Sequence, residues 1–102
     1  MIHVLAIVTA KPGMRAAILT EFRANAPTCR AEQGCIAYEA TTDADGVGSI
    51  QTRLGDDSFV VVEQWAGVDA LKAHAAAPHM AAYAAKTREM VASRVIHVLA
   101  PV

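Results

Sequence analysis

Two stretches of this chain lack the alternation expected of a strand covered on one side only. Residues 2–9 read Ile-His-Val-Leu-Ala-Ile-Val-Thr, and residues 59–65 read Phe-Val-Val-Val-Glu-Gln-Trp. Side chains along a strand point to opposite faces in turn. Phe59, Val61, Glu63 and Trp65 therefore share one face, and Val60 and Val62 take the other. In the first stretch Leu5 and Ile7 oppose Ile2, Val4 and Val8. Strands that are apolar on both faces need cover on both. A chain of 102 residues has room for one domain and one core. It cannot supply a second layer of helices, so a second copy packing sheet against sheet is the expected cover.

The elements between those strands follow from periodicity and breakers. Lys11-Pro12-Gly13 ends the first strand. From Met14 to about Ala31, the residues Ile18, Phe22, Ala26 and Cys29 recur at helical spacing. Pro27 inside that stretch predicts a kink or a restart, and Gly34 a stop. Cys35–Thr42 reads as a second strand, Asp43–Gly48 as a loop, and Ile50–Arg53 as a short additional strand. After Gly55-Asp56-Asp57 comes the strand ending at Trp65. Asp69 opens a helix carrying Leu71, His74 and Ala75. Pro78 separates it from another, His79 to about Ala92, with Met80, Tyr83, Ala84, Thr87 and Val91 in line. Arg94–Ala100 closes the chain as a strand.

The order is β-α-β-β-α-β over one domain, residues 1–102. It predicts an α+β, ferredoxin-like fold: an antiparallel sheet with its helices on one face. The pentapeptide Ile2–Ala6 recurs as Ile96–Ala100. That fits first and last strands lying side by side with the same burial demands.

Charge removes several functions from consideration. The formal charge is -1, with no basic run, so neither nucleic acid nor an anionic membrane surface is an expected partner. No apolar run approaches the roughly 18 residues of a membrane span. Met1–Ala6 reads as a strand rather than a signal peptide, so a cytoplasmic location is expected. Cys29 and Cys35 show no CxxC spacing, and no third ligand is expected nearby. They read as reduced, apolar thiols, with no disulfide and no metal.

Several motifs together resemble a known family. They are Ser-Phe-Val-Val-Val-Glu-Gln-Trp at 58–65, Leu-Lys-Ala-His at 71–74, Pro-His-Met-Ala-Ala-Tyr at 78–83, and Gly34-Cys35 followed by Tyr38. This succession resembles the antibiotic biosynthesis monooxygenase superfamily, and within it the small quinol monooxygenases. The resemblance implies a ferredoxin-like protomer and a homodimer joined through its sheets, the dimeric α/β-barrel. It also implies oxygen chemistry on a small quinol or phenolic, polyketide-like substrate with no cofactor, neither metal nor flavin. Haem-degrading members use an Asn, Trp and His set that would fall near Ala6 or Ile7, at His74 and near Ala84. This chain lacks all three. Isomerases of small phosphorylated carbonyl compounds share the Pro-His element, and a non-catalytic ligand-binding dimer is the third reading.

Oxygen chemistry without a cofactor needs a base near neutral pKa and an apolar pocket that excludes water. Histidine fits the first demand. His74 lies at the edge of its helix's buried face, either as the base or as a boundary residue bonded to backbone. His79 opens the next helix and shares a face with Tyr83, offering a base and a phenol or a simple helix-end contact. His3 and His97 lie in strands and read as structural. Glu63 stands among apolar residues, where an unpaired carboxylate is costly. It is read as a salt-bridge partner at the dimer contact or as a pocket carboxylate that orients a histidine. Phe22, Tyr38, Trp65 and Tyr83 are the expected wall, with His74, His79 and Glu63 as catalytic candidates.

Overall fold

The computed structural model describes residues 1–102. The apolar stretch at the start forms β1 (Ile2–Ala10), and the Ile18-Phe22-Ala26-Cys29 stripe forms α1 (Arg15–Arg30). Then come β2 (Cys35–Thr41), β3 (Ser58–Trp65), α2 (Val68–Ala75) and α3 (Pro78–Thr87). A 3₁₀ turn, Arg88–Met90, leads into β4 (Val91–Leu99). All strand pairs are antiparallel, in the order β2-β3-β1-β4, so the first and last strands are neighbours as expected. No helix is long and apolar enough to cross a membrane.

Alternation in burial replaces the missing alternation in sequence. On β1, Ile2, Val4, Ala6, Val8 and Ala10 are buried, while Leu5 and Ile7 stay half-buried on the other face. On β3, Phe59, Val61, Glu63 and Trp65 are buried, and Val60 and Val62 are not. Register aligns Val60, Ile7 and Val95 in one row of that outer face, and Val62, Leu5 and His97 in the next. The outer face is thus mainly apolar, and its side chains are only partly buried by the rest of the chain.

Three local expectations are corrected. Pro27 does not restart the helix: α1 runs unbroken to Arg30. The ring removes one donor, but the Ala31 N–H bonds the Pro27 carbonyl, so the ladder resumes at once. Ile50–Arg53 forms no strand. Asp43 instead accepts the backbone N–H groups of Leu54 and Gly55, both at 2.9 Å, and closes the loop on itself. Those bonds, more than nearby Arg53, hold the Asp43 carboxyl below its ordinary range. The last helix ends at Thr87 rather than Ala92, and β4 starts at Val91 rather than Arg94. Val91 pairs with Ala10 across a register shift in the ladder, so its apolar side chain belongs to a strand.

Packing between α1, β2 and β3 is aromatic. Phe22 stacks on Tyr38 with centroids 5.3 Å apart, Phe59 meets Phe22 edge-on at 6.4 Å, and Trp65 meets Tyr38 edge-on at 6.4 Å. Burial of each such side chain stabilises the fold by roughly 1.5–3 kcal/mol. Gly34, at φ +84°, lets β2 begin against α2. A Cβ there would lie 2.6 Å from the Ala70 Cβ, so no larger residue fits without displacing α2.

Candidate functional site

Alanine leaves space where it replaces larger residues. The chain has 22 alanines, and α2 and α3 together are dense in them. Ala75, Ala81 and Ala84 face a cavity of about 460 Å³ between these helices and strands β1 and β4. Val4, Val8 and Ile96 form its sheet side, and Leu71 and Met80 line it from the helices. The polar residues in the lining are Glu63, His74, Tyr83, Thr87, Arg88 and Arg94.

Of the seven residues singled out from sequence, the fold brings Glu63, His74 and Tyr83 to this cavity. His79 is absent from the lining, as are Phe22, Tyr38 and Trp65. The last three are buried in the aromatic core, where Tyr38 and Trp65 support the site from behind.

His74 is only 5% exposed. Its ring lies 4.6 Å from the Trp65 indole, tilted by 37°, and meets Tyr38 edge-on at 5.3 Å. Nδ1 lies 2.6 Å from Glu32 Oε2. An ionised carboxylate only accepts hydrogen bonds, so Nδ1 donates to Glu32, and Nε2 is left without a protein partner. The result is a histidine oriented by a carboxylate through one ring nitrogen.

Glu63 accepts a 2.9 Å hydrogen bond from Trp65 Nε1 at its Oε1. Burial is the largest influence on its carboxyl and raises the pKa, against the Trp65 bond and the charges of His74 and Arg94. Burial likewise raises the Tyr83 phenol. The cavity thus presents an imidazole nitrogen without a protein partner, beside a carboxyl and a phenol whose pKa values burial raises.

Glu32 was missed by sequence reasoning. It stands in the turn after α1, outside every periodic pattern, and meets a histidine 42 positions away. Its other oxygen, Oε1, lies 3.2 Å from His79 Nε2, and His79 Nδ1 lies 3.0 Å from Asn25 Oδ1. The fold also corrects the view that the cysteines lack neighbouring ligand types. Donor atoms of Cys29, Glu32 and His79 lie within 4.8 Å of one another. Burial pushes the Cys29 thiol up to about 11, which opposes the thiolate that metals require, and Glu32 and His79 are engaged with each other. The cluster reads as a hydrogen-bond network. Lys72 and Lys86 stay outside the cavity lining, which Arg88 and Arg94 join.

Residues 1–86 match the family described as Antibiotic biosynthesis monooxygenase. The chain is 35% identical over 103 residues to an Escherichia coli K12 protein named "Probable quinol monooxygenase YgiN", covering 99% of this chain and 98% of the relative. Among solved structures, it is similar to PA3566 from Pseudomonas aeruginosa, with TM-score 0.80 and 26% identity, over 99% of this chain and 93% of that one. It is also similar to Rv0793 from Mycobacterium tuberculosis, with TM-score 0.80 and 28% identity, over 99% and 94% of the two chains.

Proposed function

The chain belongs to the antibiotic biosynthesis monooxygenase family, and on that premise we propose that it oxygenates a small hydroquinone or related phenol with O2 and no cofactor. The observation that carries this reading is His74: buried, hydrogen-bonded through Nδ1 to Glu32, and lining a mainly apolar cavity. In the first step the substrate hydroxyl gives its proton to His74 Nε2, while Glu32 stabilises the imidazolium through Nδ1–H. The resulting hydroquinone anion is electron-rich enough to pass one electron to O2. The radical pair then joins, forming a carbon–oxygen bond, and a proton completes a ring hydroperoxide. Loss of water breaks the O–O bond and leaves a carbonyl at that carbon. One oxygen atom enters the ring and the other leaves as water. All four electrons come from the hydroquinone, which becomes a hydroxyquinone, so no external reductant enters the balance. Glu63 in its neutral form donates a hydrogen bond to a substrate oxygen, with Trp65 fixing its orientation.

The homodimer belongs to the same proposal. A second copy laid on the row Val60-Ile7-Val95 would cover the apolar outer face. Sedimentation that finds only monomer at micromolar concentration would remove this part alone.

The test of the activity is oxygen uptake by chelator-treated protein supplied with hydroquinone or naphthohydroquinone. The expected result is enzyme-dependent uptake with the hydroxyquinone as product, and its absence across such a panel overturns the reading. Arg88 and Arg94 support a second reading, an isomerase of a small phosphorylated carbonyl compound. That reading predicts turnover without oxygen uptake, inhibited by inorganic phosphate.

A further inference from the structure

Asn25 fixes the protons of a chain of side chains that ends at His74. Its Nδ2 lies 3.3 Å from Met80 Sδ and 3.6 Å from Cys29 Sγ. A thioether sulfur accepts but never donates, so the amide nitrogen belongs on that side and Oδ1 faces His79 Nδ1 at 3.0 Å. Oδ1 is an acceptor, so His79 Nδ1 carries a proton. On the opposite side of the ring, Nε2 faces Glu32 Oε1 at 3.2 Å. A lone pair there would point at a carboxylate oxygen, whereas a second N–H would complete an ion pair. Glu32 Oε2 is already taken by His74 Nδ1–H at 2.6 Å.

We infer that His79 is held as an imidazolium by Asn25 and Glu32, and that it is a positioning residue which lowers the basicity of His74 through their shared carboxylate. This rests on the reading of His74 as the base. One carboxylate serves two imidazoles, and the positive charge on His79 offsets part of its attraction for a proton on His74. The groups facing His79 are Cys29 at the end of α1, Glu32 in the turn that follows, and His74 on α2, whose ring centroid is 6.4 Å away. Those facing His74 are Glu32, His79, Tyr38 and Glu63. With no counter-charge at position 79, Glu32 would favour a charged His74, and the base would be spent before substrate arrived. His79 is less buried than His74, with about a quarter of its side chain exposed, so it exchanges protons with water outside the cavity.

The experiment follows the ring nitrogens of nitrogen-15-labelled protein by NMR across pH, in wild type and in His79→Gln and His79→Lys. In wild type at neutral pH, His79 is expected to show two ring N–H groups and His74 one, on Nδ1. Removing the charge in H79Q should move the His74 titration upward by about one pH unit, the size of effect a neighbouring charge exerts. H79K should return it toward wild type. The pH limb of hydroquinone oxidation should shift in the same sense. A merely structural role would lower stability in both variants and leave the His74 midpoint in place. That outcome, or a neutral His79 in wild type, overturns the inference. The NMR titration needs no substrate, so lack of oxygen uptake would count against the activity and leave this result standing.

Discussion

The two ends of the sheet are covered by different side chains. Over β2 and β3, α1 supplies Ile18 and Phe22, and these close with Tyr38, Phe59 and Trp65 into a core with those side chains almost wholly buried. Over β1 and β4, α2 and α3 supply mainly alanine and leave a cavity of about 460 Å³. The same sheet serves both ends. Bulky residues secure the fold at one, and small residues leave an open cavity at the other. His74 and Glu63 sit where they meet, braced by Trp65 on one side and open to the cavity on the other.

Changing a residue at that boundary gives the largest expected effect. His74→Ala should lower kcat/KM for a hydroquinone by roughly 10²–10⁴-fold, the usual share of a general base. His97→Ala, on the outer face opposite Leu5, should keep turnover close to wild type. Folding of both is checked by circular dichroism. Near wild-type turnover in H74A would refute the histidine-base mechanism and leave Glu63 or spontaneous substrate ionisation in its place.

A change at the packed end should affect stability instead. Phe59→Ala removes a fully buried ring and should cost about 3–5 kcal/mol in denaturant unfolding. Activity per folded molecule should survive, because Phe59 does not line the cavity. A stability loss well below that range would mean that the packed end is looser than its aromatic contacts indicate.

The reverse holds at the open end. Ala84→Leu puts a larger side chain into open space and should alter stability less than Phe59→Ala does. It should nevertheless raise KM for naphthohydroquinone more than for hydroquinone. Equal effects on the two substrates would show that this cavity is not where the ring binds.

The smallest effect concerns Glu63. Burial raises its folded-state pKa above the unfolded value, so folding favours the protonated acid. The stability this contributes is present below the ordinary glutamate pKa and is lost as pH rises through the raised folded value. Glu63→Gln keeps an acceptor for Trp65 but cannot ionise. Wild type should therefore lose stability relative to E63Q as pH climbs through that window, read from denaturation midpoints at each pH. A constant difference between the two proteins would place the Glu63 carboxyl at its ordinary value.

Local pattern was enough for some of this architecture. The run of residues 2–9, the stripe Ile18-Phe22-Ala26-Cys29 and the β3 segment declared their elements, because side-chain period is a property of neighbours in sequence. The doubly apolar strands declared an outer face that would lack cover. The burial of His74 could be expected from its place at the edge of the apolar face of α2. The boundary between α3 and β4 could not be read, because Val91 satisfies helical spacing and strand pairing equally well. Only its partner Ala10 decides between them.

The site's electrostatics lay outside local pattern altogether. Nothing in a turn glutamate such as Glu32 announces a histidine partner, and nothing in Asn25 announces Met80 and His79. Those contacts span 42 to 55 positions and exist only because the end of α1 lies beside α2 and α3. Aromatic residues were equally ambiguous: Tyr83 lines the cavity while Phe22, Tyr38 and Trp65 fill the core. Sequence determined which residues avoid water, because hydrophobicity belongs to each side chain. The tertiary structure decided which polar groups meet and which aromatic faces stay open, because both depend on how separate elements cross.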